Sequence, residues 1–448
     1  MKRRQFLQAS LATGLSLGFF APHVLGANDK IRFALIGCGG RGTGTITNCA
    51  RNHPEVEIVA VCDPNRTKLG KFAESVEKSS GKKPLIAEDL RKVYEDQTID
   101  VAWVSTPEHW HTLASIWALQ AGKDVYVEKN PTINIWEGRK LVQAAEKYKK
   151  VVQVGFQNRS APYAFSAKEY IDSGKLGKIV TIKSYCTLGG GRFREAAETP
   201  VPAWLDWDLW LGPAPMRPFS PSIVSEGGRG DWLNYWEYSG GGALTDDASH
   251  VLDVARLVVG DPPHPKSVYT CGGNHAWGGS SEVPEFEEIT YDFGDFSWTC
   301  TSGNATGYME KTPGDVRGDK EKFPNWRNNA TRTEFYGTKG LMYFGRHGGG
   351  WQVLGDRNEI VAEGGGSFPD NEHQDNFIAA LKQEAKPNGD AEQCHRSATL
   401  VHLGQLSYRL GNKQLLFDGE TEKFTNSDEA NVLARGTYRD PFTVPEEV

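Results

Sequence analysis

The stretch from Lys30 to Asp63 restricts what this chain can fold into more than any other. Lys30-Ile31-Arg32-Phe33-Ala34-Leu35-Ile36 is an apolar run that reads as a buried parallel strand, and it enters Gly37-Cys38-Gly39-Gly40-Arg41-Gly42 directly. A helical stretch to about Asn52 follows, then a second strand, Val56-Glu57-Ile58-Val59-Ala60-Val61-Cys62, closed by Asp63. A strand before, a helix after and an acid ending the next strand form the setting in which G-x-G-x-x-G binds a dinucleotide. Glycines let the backbone approach a pyrophosphate at a helix N-terminus, and Asp63 is placed to accept from the ribose hydroxyls. The expected cofactor contacts here are Gly37, Gly39, Gly40, Arg41, Gly42, Asp63 and Arg66. The acid favours NAD, while Arg66 keeps NADP open.

Alternation continues with a helix expected over 87–94 and a strand over 100–105 that ends in Thr106-Pro107-Glu108-His109. A helix to about Ala121, a strand over 124–127 ending in Glu128-Lys129-Asn130-Pro131, a helix over 134–148 and a strand over 151–155 complete the unit. This is the pattern of a doubly wound parallel sheet, whose ligands bind at the strands' carboxyl ends, so Thr106, His109, Lys129 and Gln157 share one crevice. Beyond Gly155 the rhythm changes. Strands expected over 178–185 and near 266–272, 285–293, 296–302, 331–336, 340–344 and 350–354 make a C-terminal α/β domain with a large open, mainly antiparallel sheet. Helices are expected over 371–385 and 391–410, with an irregular tail after Lys413 wrapping over a neighbour. The expected organisation is a leader (1–27), a Rossmann domain (28–155), a substrate and oligomerisation sheet domain (156–365) and C-terminal helices and tail packing back on the domains (366–448).

In the second half, Gly240-Gly241-Gly242 opens a helix carrying Asp246 and His250 four apart on one face, with Asp253 three further on. A carboxylate beside an imidazole orients it for general-base work. Alternatively the acids cap the first turn and the histidine fills a core contact. Tryptophans 204, 207, 210, 232 and 236 suit either sugar stacking or core filling. Seven cysteines without a CxxC pair give no disulfide scaffold and no metal site, a Cys271–Cys300 bridge being the one pairing left open. His373, His395 and His402 lack ligand spacing. With 50 basic and 57 acidic side chains there is no cationic excess for nucleic acid.

Met1-Lys2-Arg3-Arg4-Gln5-Phe6-Leu7, an apolar stretch over 11–20 and small residues at Gly26 and Ala27 resemble a twin-arginine export signal. A Sec signal or an uncut anchor is the alternative. Export implies a periplasmic protein that leaves the membrane after cleavage.

Taken in order, the motifs at 37–42, 106–109, 128–129 and 240–250 resemble the Gfo/Idh/MocA family of glucose–fructose oxidoreductase and inositol dehydrogenase. The resemblance implies a Rossmann domain, an open-sheet domain, NAD(P) and carbohydrate substrates. It maps the family's catalytic lysine onto Lys129 and its Asp-x-x-x-His pair onto Asp246 and His250, with Thr106, Pro107, His109, Glu128 and Lys129 also at the cofactor. Where the family has Glu-Lys-Pro, this chain interposes Asn130. The mechanism implied has His250, oriented by Asp246, take a sugar hydroxyl proton as hydride leaves to NAD, while Lys129 hydrogen-bonds the same oxygen. Gln157, Arg159, Tyr163, Trp236 and Asp253 are the expected substrate contacts. An exported enzyme meets no pool of free NAD, which implies a tightly held, recycled cofactor. Three functions fit: a sugar oxidoreductase, a glycosidase or lyase working by transient oxidation and elimination, or an inactive sugar-binding protein. The open sheet face suits a homodimer or homotetramer.

Overall fold

A computed structural model describes residues 30–305 and 307–448; the leader expected over 1–27 lies outside the described residues. Six parallel strands, β1 (Ile31–Ile36), β2 (Val56–Cys62), β3 (Leu85–Ala87), β4 (Val101–Val104), β5 (Asp124–Val127) and β6 (Val152–Val154), lie in the order β3-β2-β1-β4-β5-β6. This is the Rossmann arrangement, with its switch point between β1 and β4. Strand β1 is buried almost throughout because helices cover both faces of the sheet, which explains why all its residues but Arg32 are apolar. Asparagines fix two helix starts: Asn65 and Asn134 accept from the N–H groups of Lys68 and Glu137.

The second sheet has ten strands: β7 (Ile179–Thr187), β8 (Ser267–Gly273), β9 (Phe286–Asp292), β10 (Ser297–Gly303), β11 (Thr331–Gly337), β12 (Leu341–Gly345), β13 (Gly350–Leu354), β14 (Ile360–Gly364), β15 (Leu415–Asp418) and β16 (Lys423–Phe424). Their order is β14-β13-β12-β11-β7-β10-β9-β8-β15-β16, antiparallel except where β7 meets β10. Strand β7 alternates buried and half-buried residues, as a one-sided sheet requires. The Ser249–Val258 and Ala391–Arg409 helices pack on its inner face.

Three expectations need correcting. The 87–94 stretch is edge strand β3 followed by a short helix, Leu90–Tyr94, capped by Asp89, so the strand ends where a full helix was expected to begin. The tail is ordered: it forms β15, β16 and the Asp428–Arg435 helix, and Phe442, Val444 and Val448 return to this chain's own Rossmann core. Cys271 and Cys300 are both free, the first exposed and the second buried.

The two domains meet at the turn after β6. Arg159, buried there, donates through Nε to Asp253 Oδ1 at 2.6 Å and through a terminal nitrogen to Asp261 at 2.8 Å. Arg159 and Asp253 side chains are each 1% exposed, so neither charge has water as a substitute partner. Arg159→Met is therefore expected to destabilise the protein by about 3–5 kcal/mol. A lowered urea midpoint checks this, and the Arg159→Met/Asp253→Leu double variant should regain part of the loss. An unchanged midpoint would show that the pair does not hold the domains together.

Candidate active site

The glycine turn is shaped by contacts that only glycine permits. Gly37 adopts φ 96°, and a Cβ there would lie 2.5 Å from the Ser105 carbonyl oxygen. A Cβ on Gly42 would lie 2.6 Å from the Gly37 oxygen. Gly39 and Gly40 face open space instead, with no atom within 4 Å of an added Cβ. That gap at the start of the Gly40–Asn52 helix is where a pyrophosphate fits. Asp63, at the end of β2, accepts from the Cys38 and Asn65 N–H groups at 2.7 and 2.8 Å. Burial raises its pKa, and those N–H groups with Lys68 oppose the rise. Ser105 Oγ and Thr106 Oγ1 are buried without partners beside the turn. The donors and the open cradle suit a dinucleotide.

The turn opens into a cavity of about 1180 Å³ that runs to the second domain. Gly37, Gly39, Gly40, Arg41, Asp63, Thr106, Pro107, Glu128, Lys129, Gln157, Asp246 and His250 all line it. Gly42 packs beneath the turn. Arg41 is held by Glu128, Nε to Oε1 at 2.9 Å. The adenosine end is roofed by the second domain: Arg66 N–H donates to Trp204 O at 2.8 Å, Asp206 N–H to Pro64 O at 3.0 Å, and Asn65 Nδ2 to Glu226 O at 3.0 Å.

At the other end Lys129, just past β5, donates through Nζ to Asp246 Oδ1 at 2.6 Å and Asp246 O at 2.8 Å, with Glu108 Oε1 at 3.9 Å. Burial works against the Lys129 charge, but Asp246 and Glu108 outweigh it and raise the pKa. Glu108 is 2% exposed, and burial pushes it up to about 7 against the pull of Lys129. Asn130 Nδ2 donates to Thr245 O across the domain boundary. His111 sets its ring nitrogens against the Thr106 and Asn130 carbonyls, joining the loops after β4 and β5.

His250 is 6% exposed and its Nδ1 has no partner. Burial, then the charges of Arg346 and Lys129, push its pKa well down, so the imidazole is neutral. Asp246 does not orient it. Leu244–Ala248 is a π turn, which adds a residue to the hydrogen-bond ladder and breaks the four-residue stacking an α-helix would give. Asp246 thereby meets Lys129 and, at 3.3 Å, Arg229.

Several expected contacts lie elsewhere. Arg66 is exposed on Glu88 because Asn65 starts a helix and throws the next side chain outward; Lys68 lines the cavity instead. His109 turns into the core against Trp210 and Tyr238. Arg159 and Asp253 neutralise each other, Tyr163 Oη is held by Asn158 and the Gly348 N–H, and Trp236 packs on Tyr408 and Arg409. None of these four lines the cavity. Of the tryptophans, 207 and 210 sit in an apolar cluster, while 210 and 232 also border the cavity. Residues not anticipated are Glu108, Asp247, Arg229, Lys311, Arg346 and His347. Gly345-Arg346-His347-Gly348-Gly349-Gly350 carried the one available signal, a glycine-rich turn around two polar side chains. Among the described residues no group of three or more His, Cys, Asp or Glu is placed to hold a metal ion.

Residues 31–156 match the model of an oxidoreductase family, NAD-binding Rossmann fold, and residues 183–333 and 356–444 match that family's C-terminal alpha/beta domain. The chain is 31% identical over 174 residues to levoglucosan dehydrogenase of Pseudarthrobacter phenanthrenivorans, covering 39% of this chain and 36% of that protein. It is 28% identical over 237 residues to D-glucoside 3-dehydrogenase of Escherichia coli, covering 52% and 56%. The matches thus span little more than half of these relatives, or less. The aldose-aldose oxidoreductase of Caulobacter crescentus, complexed with glycerol, shares the fold at TM-score 0.63 and 16% identity, over 87% of this chain and 100% of that one.

Glu108 gives the site a pH signature. Its folded pKa is raised from 4.5 to about 7, so the folded chain holds a proton that the unfolded chain releases. That contribution is present below pH 4.5 and is lost as pH rises through 7, about 3 kcal/mol across the window. Unfolding midpoints of the Glu108→Gln variant should fall less between pH 5 and 8 than those of the parent. Parallel curves would refute the assignment.

Proposed function

The chain belongs to the Gfo/Idh/MocA oxidoreductase family, and from that premise we propose that it oxidises a CH–OH group of a sugar or sugar derivative with NAD. The observation that carries the reading is the convergence of Lys129 and His250 on the cavity that begins at the glycine turn. NAD, when bound, supplies the hydride acceptor. Gly39, Gly40, Arg41 and Asp63 would hold it at the first domain. His250, neutral, accepts the hydroxyl proton. Lys129 stays charged between Asp246 and Glu108 and donates to the same oxygen, stabilising the negative charge that builds there as the proton leaves. Asp246 acts through Lys129 by fixing Nζ. Gln157 is the remaining expected substrate contact on the cavity wall.

Cofactor retention belongs to the same proposal. The 204–229 segment pairs with the loop after β2, so NAD leaves only when those contacts between domains open. An exported enzyme needs such retention. We place the protein in the periplasm, delivered folded and loaded by its twin-arginine leader, and paired through the outer face of the ten-stranded sheet as a homodimer or homotetramer.

Two outcomes are expected. Lys129→Met and His250→Gln each lower kcat/KM for sugar oxidation 10²–10⁴-fold with NAD still bound, and undiminished turnover in either removes that residue from the chemistry. Protein recovered from the periplasmic fraction and purified without nucleotide should release about one NAD(H) per chain on denaturation, and sediment above 49.4 kDa. Empty protein would refute retention, and absence from that fraction would refute export.

A further inference from the structure

Resting on the oxidoreductase reading, we infer that the sugar oxidised here is an acid, carrying a carboxylate that Arg346, Lys311 and Arg229 receive. The chain as a whole is acidic, at −7, yet the substrate end of its cavity is not. Lys129, Arg229, Lys311 and Arg346 border it, together with Asp246 and Asp247. Asp246 is already engaged by Lys129 at 2.6 Å when Arg229 approaches its other oxygen at 3.3 Å. Asp247 is shared by Arg346 and Lys311, each at 2.5 Å. Two carboxylates therefore serve four cations, and Glu108, whose pKa is raised to about 7, is only partly ionised near neutral pH. An oxidised nicotinamide ring would bring a further positive charge.

Donor capacity is left over where the excess lies. Arg346 is 5% exposed and its Nε has no partner. Lys311 spends one ammonium hydrogen on Asp247, and Arg229 rests half-exposed over the Trp232 ring, 5.6 Å from its centroid. A ligand carboxylate would balance this excess charge and accept charge-assisted hydrogen bonds from the buried Arg346 and the more exposed Lys311 and Arg229. A neutral sugar does neither. Burial first, and then the charge of Arg346, pushes the pKa of both His250 and His347 down.

The test compares matched pairs on the NAD-loaded protein by calorimetry: glucose with glucuronate, galactose with galacturonate, and glucose with glucose 6-phosphate. The acid of at least one uronate pair is expected to bind tenfold or more tighter than its neutral partner, with the gap shrinking between 20 and 200 mM salt. Lys311→Gln, on the cavity rim, should remove most of that gap. Arg346→Gln should do the same if it folds. Equal binding within both uronate pairs overturns the inference, as does a gap that Lys311→Gln leaves intact. Tight binding of glucose 6-phosphate alone would also overturn it, making phosphate the anion. Neutral glycosides that reduce the bound NAD while acids do not would sink the acid and keep the oxidoreductase. Acids that bind tightly while no sugar changes absorbance at 340 nm would instead sink the oxidoreductase reading.

Discussion

The ion pair between Lys129 and Asp246 is the contact on which the rest of the site depends. Lys129 stands at the end of a Rossmann strand and Asp246 in the first turn of a helix from the other domain. A lysine buried this far would be driven toward its neutral form by desolvation, and only a close carboxylate keeps it charged. The pair therefore sets the protonation state of the cavity's central donor and the distance between the domains together. Asn130, between Lys129 and Pro131, adds a second tie by donating to Thr245.

That constraint propagates into the protonation of the neighbours. Asp246 being committed to Lys129, His250 has no carboxylate hydrogen-bond partner, and burial, with the charges of Arg346 and Lys129, holds it neutral. Glu108, also facing Lys129 but buried more deeply, comes to rest near neutrality. The site thus brings a permanent cation, a neutral imidazole and a carboxyl able to change state onto one cavity. Perturbations of this kind concentrate where proton transfer is required.

The packing that frames these groups is robust for ordinary reasons. Both sheets are covered by helices on their core faces, and the C-terminal tail closes the Rossmann core with Phe442, Val444 and Val448. The Arg159–Asp253 pair, expected at the substrate, serves the domain joint because both side chains are out of reach of water. Buried charges at such joints are read from sequence as functional because their residue types are those of active sites; burial alone separates the two uses.

Most of the Rossmann half was legible in the chain because its longer strands are mainly apolar and the ligand-facing residues follow the strands' carboxyl ends closely; the short edge strand β3 was not. The seven strands anticipated in the second half were legible for a related reason, their period-two burial; β14, β15 and β16, at or next to the sheet's edges, were missed because strands this short carry too few alternations. Side-chain partners were another matter. The four-residue spacing of Asp246 and His250 predicted a contact that a π turn dissolves, and Arg346 with His347 enters the cavity from a strand turn far along the chain. Sequence by itself determined the fold class, the family and the nucleotide turn, since these rest on local pattern and on φ values open only to glycine. Tertiary structure alone decided which charges meet, because pairing depends on distances and burial that no spacing along the chain encodes.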